Sequence, residues 1–194
     1  MSKRETPLVE GHFYHIYNRG NNGENLFIEE RNYPYFLQLY SHHIFPIADT
    51  YAYCLMRNHF HLLIRIQPKN LDQLPIDYSK QFSNLFNAYT RTINKTYHRT
   101  GSLFEKPFKR ILVDSDSYFT QLVRYIHHNP QKHRFTDDFR TYPYSSYIII
   151  QQQKLSRLES QQVIDWFGDI PAFEEYHRQS NENTIHHLVE DDFH

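Results

Sequence analysis

The stretch that decides the fold is YAYCLMRNHFHLLIRI, residues Tyr51–Ile66, an aromatic and aliphatic run broken only by Arg57-Asn58. This pattern predicts two β-strands joined by a tight turn at Arg57-Asn58. Side chains alternate between the faces of a strand, so His59 and His61 project to one side and Phe60 to the other. Two neutral imidazoles about 6–7 Å apart on one face can converge on a metal ion. In a chain with 14 histidines, the simpler explanation is two polar residues on a half-solvated strand.

A second stretch, SDSYFTQLVRYIHHNP at Ser115–Pro130, predicts a helix that is capped by Ser115 or Asp116 and stops at Pro130. Tyr125 and Asn129 lie one turn apart and therefore face the same way. A phenol and an amide oxygen on one helix face could meet the two histidines over a shared ion. The apolar positions of the buried stripe are Phe119, Val123 and Ile126.

Two further histidines, His127 and His128, follow Tyr125 directly. We expect both to lie on the helix surface as solvated groups or phosphate contacts. Tyr118 is expected to pack in the ordinary way rather than to act as a second nucleophile.

Several motifs of this chain, in their order, resemble those of the single-tyrosine HUH transposases, and especially the REP-associated tyrosine transposases. In that family two histidines flank a bulky apolar residue on a strand, and a later helix carries the tyrosine. The resemblance covers roughly residues 8–150, and Arg57 departs from it because many members have proline there. The matching segments are HFYHIYNRG (12–20), CLMRNHFHLLI (54–64), GSLFEKPFKRILVD (101–114), RYIHHNP (124–130) and YPYSSY (142–147).

The resemblance implies roles for four residues: His59, His61 and Asn129 as metal ligands and Tyr125 as the nucleophile. It implies cleavage of single-stranded DNA beside an imperfect hairpin, with a covalent 5′-phosphotyrosine as the intermediate. A second DNA end can then reverse this step and be joined to the cut strand. It also implies Mg²⁺ or Mn²⁺ in function. Imidazole ligands by themselves suit Mn²⁺, Zn²⁺ or Ni²⁺ better than Mg²⁺, so Zn²⁺ or Ni²⁺ in a purified sample would not contradict it.

The net charge of −1 conceals a basic central segment. Residues 80–134 contain 10 Lys/Arg against 3 Asp/Glu, whereas residues 135–194 contain 4 against 11. A basic segment that includes the tyrosine helix favours a polyanion as partner, although basic side chains often do no more than solvate helices. The candidate phosphate contacts are Arg19, Lys106, Lys109, Arg110 and Arg124.

Composition indicates a folded protein in a reducing compartment. The chain is 39% hydrophobic and 16% aromatic, which is enough for a core. It has no run of 18 apolar residues, and its N-terminus lacks the apolar core of a signal peptide. Its one cysteine, Cys54, lies in an apolar strand and cannot form an intrachain disulfide, so we expect a cytoplasmic protein without membrane association.

The predicted element order is strand–helix–strand–strand–helix–strand–helix. It favours an α+β fold with an antiparallel sheet and helices on one face, and the resemblance implies a ferredoxin-like variant. We expect residues 1–150 to form the transposase-like domain and residues 151–194 to form an acidic helical extension packed on it. Outside the stretches above, the predicted elements are a strand over 8–19, helices over 29–45 and 78–97, a strand over 108–114, a helical turn or strand over 144–150, and helices over 159–167 and 172–178. Residues 67–70 are expected to open a connection, and 181–194 to be frayed.

Two other functions remain open at this stage. One is a hairpin-binding regulator that keeps the fold and cuts nothing. The other is a metal-dependent phosphodiesterase that uses water instead of Tyr125. The sequence also leaves open whether the chain works as a monomer or as a homodimer.

Overall fold

The computed structural model describes residues 6–68 and 76–179. Four strands and two helices alternate in the order strand–helix–strand–strand–helix–strand, which is the order of the ferredoxin-like fold. The elements are β1 (Phe13–Arg19), α1 (Asn32–His43), β2 (Ala48–Met56), β3 (His59–Ile66), α2 (Tyr78–Thr96) and β4 (Lys109–Val113). The strands form one antiparallel sheet in the order β2-β3-β1-β4. The predicted α+β class is therefore confirmed.

The hairpin of β2 and β3 forms where it was predicted. Met56 pairs with His59 across the Arg57-Asn58 turn. The turn is held from outside, because the N–H of Leu26 donates to the carbonyl of Arg57 and the N–H of Gly20 donates to the carbonyl of Asn58, each at 2.8 Å. The start of β3, where His59 and His61 lie, is thus fixed against the end of β1.

Apolar side chains cover both faces of the sheet, and in this respect the prediction of helices on one face was incomplete. Helices α1 and α2 pack on the face that carries Phe60 and Leu62. The opposite face carries Leu63 and Cys54 and is covered by later helices. These helices are α3 (Asp116–Lys132), α4 (Tyr147–Gln151), α5 (Ser160–Phe167) and α6 (Ile170–Arg178), with short 3₁₀ helices at Asn21–Gly23 and Phe139–Thr141.

Helix α3 begins as predicted, with Ser115 accepting a hydrogen bond from the N–H of Tyr118. The prediction that it stops at Pro130 was wrong, because the helix continues to Lys132. A proline removes one donor from a helix but leaves the carbonyls around it able to accept. Here the carbonyl of Asn129 accepts from the N–H of His133 at 2.9 Å, which continues the last turn.

Other boundaries differ by a few residues. Strand β1 begins at Phe13 because Gly11, in the left-handed region with φ of 77°, turns the chain just before it. Helix α1 begins at Asn32, whose side-chain oxygen accepts from the N–H groups of Ile28 and Glu29 in the preceding turn. Helix α2 is capped by the side chain of Asp77, which accepts a hydrogen bond from the N–H of Lys80 at 2.9 Å.

The later helices follow the sequence pattern closely. The segment 144–150, predicted as a helical turn or a strand, is helical from Tyr147. Helix α5 ends at Gly168, whose φ of 103° suits glycine, and α6 begins at Ile170. The predicted connection at 67–70 begins directly after β3 with Gln67 and Pro68, whereas its residues 69–70 and the segment 181–194 lie outside the described residues. Within 6–68 and 76–179, no helix is long and apolar enough to cross a bilayer.

Candidate active site

His59 and His61 project from β3 toward α3, on the face opposite to Phe60. Their ring centroids are 5.4 Å apart and the rings are nearly perpendicular. Both are buried, with exposed fractions of 6% and 0%. In the sheet they lie between β1 and β2, and His61 pairs with Tyr17 on one side and Cys54 on the other. The two imidazoles are therefore held on a rigid element from both sides.

A second set of contacts orients these two rings. His59 Nδ1 lies 2.7 Å from Asn58 Oδ1, and since an amide oxygen only accepts, His59 Nδ1 carries the proton. The Nε2 of His59 then carries the lone pair. His61 Nδ1 lies 2.9 Å from Nε2 of His15, which makes Nε2 the nitrogen of His61 that points away from this pair. Hydrogen bonds of this kind fix the tautomer and direction of metal-binding histidines.

His15 is a member of the site that sequence reasoning missed. It is fully buried in β1, with its ring stacked on His61 at 5.1 Å and on Tyr17 at 4.7 Å. The signal available in the sequence was the alternation in FYHIYN, which separates His15 and Tyr17 from Tyr14 and Ile16. Pairing β1 with β3 then brings His15 next to His61.

Burial keeps these histidines neutral. It lowers the pKa of His59 and that of His15 to about 3, and it holds the pKa of His61 well below its usual range. Charging an imidazole away from water is unfavourable, and the neighbouring basic groups add to the effect. Metal ions bind the neutral ring, so near neutral pH no proton has to be removed first.

Helix α3 brings Tyr125 and Asn129 to the same place. The ring centroid of Tyr125 lies 5.5 Å from that of His61 and 6.2 Å from that of His15, edge to face in both cases. Asn129 is fully buried, and its Nδ2 donates to the carbonyl of Tyr125 at 2.8 Å. Its Oδ1 is also buried, and it has no hydrogen bond within the part of the chain that the structure describes. A buried amide oxygen of this kind is costly unless a ligand satisfies it.

Tyr125 is only 8% exposed. Burial raises its pKa to about 12, while the nearby Asn129 amide acts in the opposite direction and Tyr118 adds to the rise. The phenol is therefore protonated at neutral pH, and nucleophilic attack through its oxygen requires that a neighbouring group take the proton or that positive charge stabilise the phenolate.

The donors present suit a divalent metal ion of mixed nitrogen and oxygen preference. Two imidazole nitrogens and one amide oxygen would leave positions open for water and substrate. Within 6–68 and 76–179, no group of three or more His, Cys, Asp or Glu side chains is arranged to hold a metal ion.

The extension of α3 beyond Pro130 adds two basic residues to the site. His133 stands edge to face with His59 at 4.7 Å between ring centroids, and Lys132 Nζ lies 5.8 Å from the centre of the Tyr125 ring. The sequence did not suggest either residue as part of the site, because the helix was expected to end at Pro130.

The five candidate phosphate contacts lie in different places. Arg19 pairs in register with His59, and Lys109 pairs with Tyr17, so these two lie on the strands beside the histidines. Lys106 and Arg110 instead line a cavity next to α2. Arg124 donates from its guanidinium to the carbonyl of Gln179 at the end of α6, a contact within the fold.

The expectation that His127 and His128 lie on the helix surface was wrong. His127 is fully buried, with Nε2 2.8 Å from Ser146 Oγ and Nδ1 2.9 Å from Nε2 of His177. His128 is half-buried, and its Nε2 lies 2.9 Å from the carbonyl of His177. The reason is that α6 packs over this side of α3, which a helical pattern taken alone does not reveal.

Comparison with known proteins places this geometry in a family. The family model described as "Transposase IS200 like" matches residues 9–129, which include the hairpin and helix α3 as far as Asn129. The chain therefore belongs to the IS200-like transposases.

Within this family the resemblance is to the REP-associated tyrosine transposases. A protein of Haemophilus influenzae with that name is 31% identical over 104 residues, which are 51% of this chain and 58% of that protein. The chain thus spans less than two thirds of the length of this relative. A structure of a REP-associated tyrosine transposase bound to a REP hairpin superposes with a TM-score of 0.63 and 15% identity, covering 80% of this chain and 88% of that one. That likeness confirms the fold.

Proposed function

We propose that this protein is a metal-dependent endonuclease and transposase that cuts and rejoins single-stranded DNA at hairpin-associated sites. The intermediate would be a covalent 5′-phosphotyrosine on Tyr125. The observation that carries the proposal is the position of the Tyr125 ring 5.5 Å from that of His61, beside the buried amide of Asn129. Membership of the IS200-like transposases supports DNA as the substrate. The hairpin bound in the structurally similar REP-associated transposase favours hairpin DNA.

His59 and His61, through Nε2, and Asn129, through Oδ1, would hold a divalent cation. The resemblance favours Mg²⁺ or Mn²⁺ in function, and the imidazoles would also retain Zn²⁺ or Ni²⁺ during purification. When bound, such an ion supplies Lewis-acid stabilisation of a non-bridging phosphate oxygen and helps to orient the 3′-oxygen that leaves. His59 Nδ1 donates to Asn58 Oδ1, and with Nδ1 of His61 donating to Nε2 of His15 both rings would offer Nε2 to the ion.

The chemical step exchanges one phosphoester bond for another. The phenolic oxygen of Tyr125 attacks phosphorus, a new bond forms between them, and the bond from phosphorus to the 3′-oxygen breaks. The phenol loses its proton, and the departing 3′-oxygen gains a proton to become a hydroxyl. Because the intermediate keeps a phosphodiester, a 3′-hydroxyl from a second DNA end can reverse the step and be joined without ATP.

The local charges support this use of Tyr125. Lys132 lies near its ring, and Arg19 and Lys109 lie on the adjoining strands, where they can contact the phosphates on either side of the cut. Basic groups around a scissile phosphate attract the strand and favour the additional negative charge of the transition state.

The test is to incubate the protein with hairpin-flanked single-stranded DNA and Mn²⁺, and to look for a protein–DNA adduct on a denaturing gel. We expect an adduct with the wild type and with Tyr118→Phe, the matched change on the same helix, and none with Tyr125→Phe. His59→Ala should also abolish the adduct.

Each remaining function has its own outcome in this experiment. If Tyr125→Phe cleaved as well as the wild type while His59→Ala did not, the protein would be a phosphodiesterase that uses water. If hairpins bound normally and no divalent metal ion produced an adduct, the protein would be a regulator. Either result would reject the proposal. Gel filtration of the DNA complex would show whether one chain or a homodimer carries the site.

A further inference from the structure

A cavity of about 670 Å³ lies between α2 and the segment 101–110. The candidate active site does not use it. Asn18, which lines it, shares a strand face with Tyr14 and Ile16, so the cavity opens on the side of β1 opposite to His15. Its volume falls within the range of about 300–1,000 Å³ that is usual for sites of small ligands. It is large enough to take a nucleotide.

The cavity combines an apolar floor with a polar wall. The floor is formed by Phe86, Phe104 and Phe108, with ring centroids 4.9 Å apart for Phe86 and Phe104 and 5.6 Å apart for Phe86 and Phe108. The wall is a stripe of uncharged polar residues along α2 that includes Asn87 and Thr90. Aromatic faces with amides and hydroxyls beside them suit a nucleobase, which has a π-face and several donors and acceptors at its edge.

The charges at the rim favour an anion. Lys106 is exposed there, and the guanidinium of Arg110 lies 4.5 Å above the ring of Phe108. The carboxylate in the lining, Glu105, is already neutralised by Arg19 at 2.5 Å. A base on the floor would therefore have its phosphate next to cationic side chains.

The cavity is connected to the active site through the sheet. Arg19 pairs with His59 on one side, and its carbonyl accepts from the N–H of Glu105 at 3.0 Å on the other. Asn18, in the cavity wall, donates from Nδ2 to the carbonyl of Glu105 at 3.1 Å. The backbone of His59 and this segment are thus two strand spacings apart, each of about 4.8 Å.

We propose that this cavity binds an unpaired nucleotide of the DNA substrate, next to the strand that enters the active site. Its base would rest on Phe86 and Phe104, and its phosphate would face Lys106 and the Arg110 guanidinium that lies over Phe108. The proposal rests on the proposed function in one respect only, namely that the chain handles single-stranded DNA.

The test fills the cavity without touching the active site. Asn87→Trp places a large side chain in the cavity wall, and Asn84→Trp makes the same change on the same helix outside the lining. Fluorescence anisotropy without divalent metal would measure the binding of two probes, a hairpin with a randomised single-stranded flank and the same hairpin without a flank. Thermal unfolding followed by circular dichroism would establish that both variants fold.

Loss of one stacked base predicts about tenfold weaker binding of the flanked hairpin by Asn87→Trp, with the blunt hairpin unchanged and Asn84→Trp equal to the wild type. Iododeoxyuridine in the flank should cross-link to the segment 101–110 in the wild type and not in Asn87→Trp. Equal binding of the flanked hairpin by both variants would overturn the proposal. An equal loss for both probes would overturn it as well, because the cavity would then contact the duplex.

The two proposals can fail separately in this design. Binding and cross-linking are measured without cleavage, whereas the covalent adduct is measured with Mn²⁺. A wild type that cross-links through the cavity and forms no adduct would reject the transposase and keep the nucleotide site. A wild type that forms the adduct and never cross-links at 101–110 would support the transposase and reject the nucleotide site. Failure to bind either probe would reject both.

Discussion

The most specific prediction concerns His15, which does not contact the substrate in the proposed mechanism and lies outside the His59–His61 pair. His15→Leu removes the partner 2.9 Å from His61 Nδ1 and leaves that buried nitrogen without its hydrogen bond. Such a loss costs about 1–3 kcal/mol of folding stability. It also frees the imidazole to rotate, and losses of this kind weaken metal binding about 10- to 100-fold. A tenfold change in affinity corresponds to about 1.4 kcal/mol.

Two measurements distinguish this positioning role from a general loss of structure. Isothermal titration with Mn²⁺ should show weaker binding by His15→Leu, and adduct formation should require about 10- to 100-fold more Mn²⁺ for half of the maximal rate. At saturating Mn²⁺ the rate should return to near that of the wild type, because Tyr125 and Asn129 are unchanged. His12→Leu, an exposed histidine just before the same strand, is the control and should change neither quantity.

The reasoning would be refuted if His15→Leu bound Mn²⁺ as tightly as the wild type and reached its half-maximal rate at the same concentration. It would also be refuted if the affinity were unchanged and the rate at saturation were low, since His15 would then act on the chemical step. His15→Gln offers a further comparison, because its amide can still hydrogen-bond to His61 and should recover part of the affinity.

Three further predictions follow from other contacts. Asn129→Ala removes the buried amide oxygen and should raise the Mn²⁺ concentration needed for adduct formation while hairpin binding in anisotropy stays unchanged. Ser146→Ala removes the partner 2.8 Å from His127 and should lower the free energy of unfolding in urea by about 1–3 kcal/mol. Burial lowers the pKa of His177 to about 3, so from pH 6.5 downward the unfolded chain takes up a proton that the folded chain does not. The free energy of unfolding should therefore decrease as the pH is lowered from 6.5 to 4, by up to about 1.4 kcal/mol per pH unit for this group. His177→Gln should reduce this dependence on pH, measured by urea unfolding at several pH values in the same range.

The parts of the fold that sequence predicted are those set by local chemistry. The hairpin follows from alternating apolar residues around Arg57-Asn58, and α2 and α3 begin at side chains that cap their own backbones, Asp77 and Ser115. Each depends on residues within a few positions of one another. The periodicity of α3 also placed Tyr125 and Asn129 on one side of the helix without any knowledge of the sheet.

The parts that sequence missed depend on contacts between distant segments. His15 became part of the site only when β1 paired with β3 in one register, which the alternation of either strand leaves undetermined. His127 was assigned to the surface because nothing near it in sequence indicates that α6 covers it. Pro130 was given its usual role as a helix stop. The carbonyls of Asn129 and Pro130 nevertheless accept hydrogen bonds from the N–H groups of His133 and Phe135.

Burial acts in opposite directions on the two kinds of group in the candidate site. For the imidazoles it is favourable, because rings such as His59 with a pKa of about 3 present a lone pair at any physiological pH. For Tyr125 it is unfavourable, because a pKa of about 12 leaves only about one phenol in 10⁵ ionised at pH 7. In the proposed mechanism the same enclosure would therefore favour metal binding by the imidazoles and disfavour ionisation of the nucleophile. Attack by Tyr125 would then depend on positive charge, supplied by a bound divalent cation and by Lys132, whose Nζ lies 5.8 Å from the centre of the Tyr125 ring.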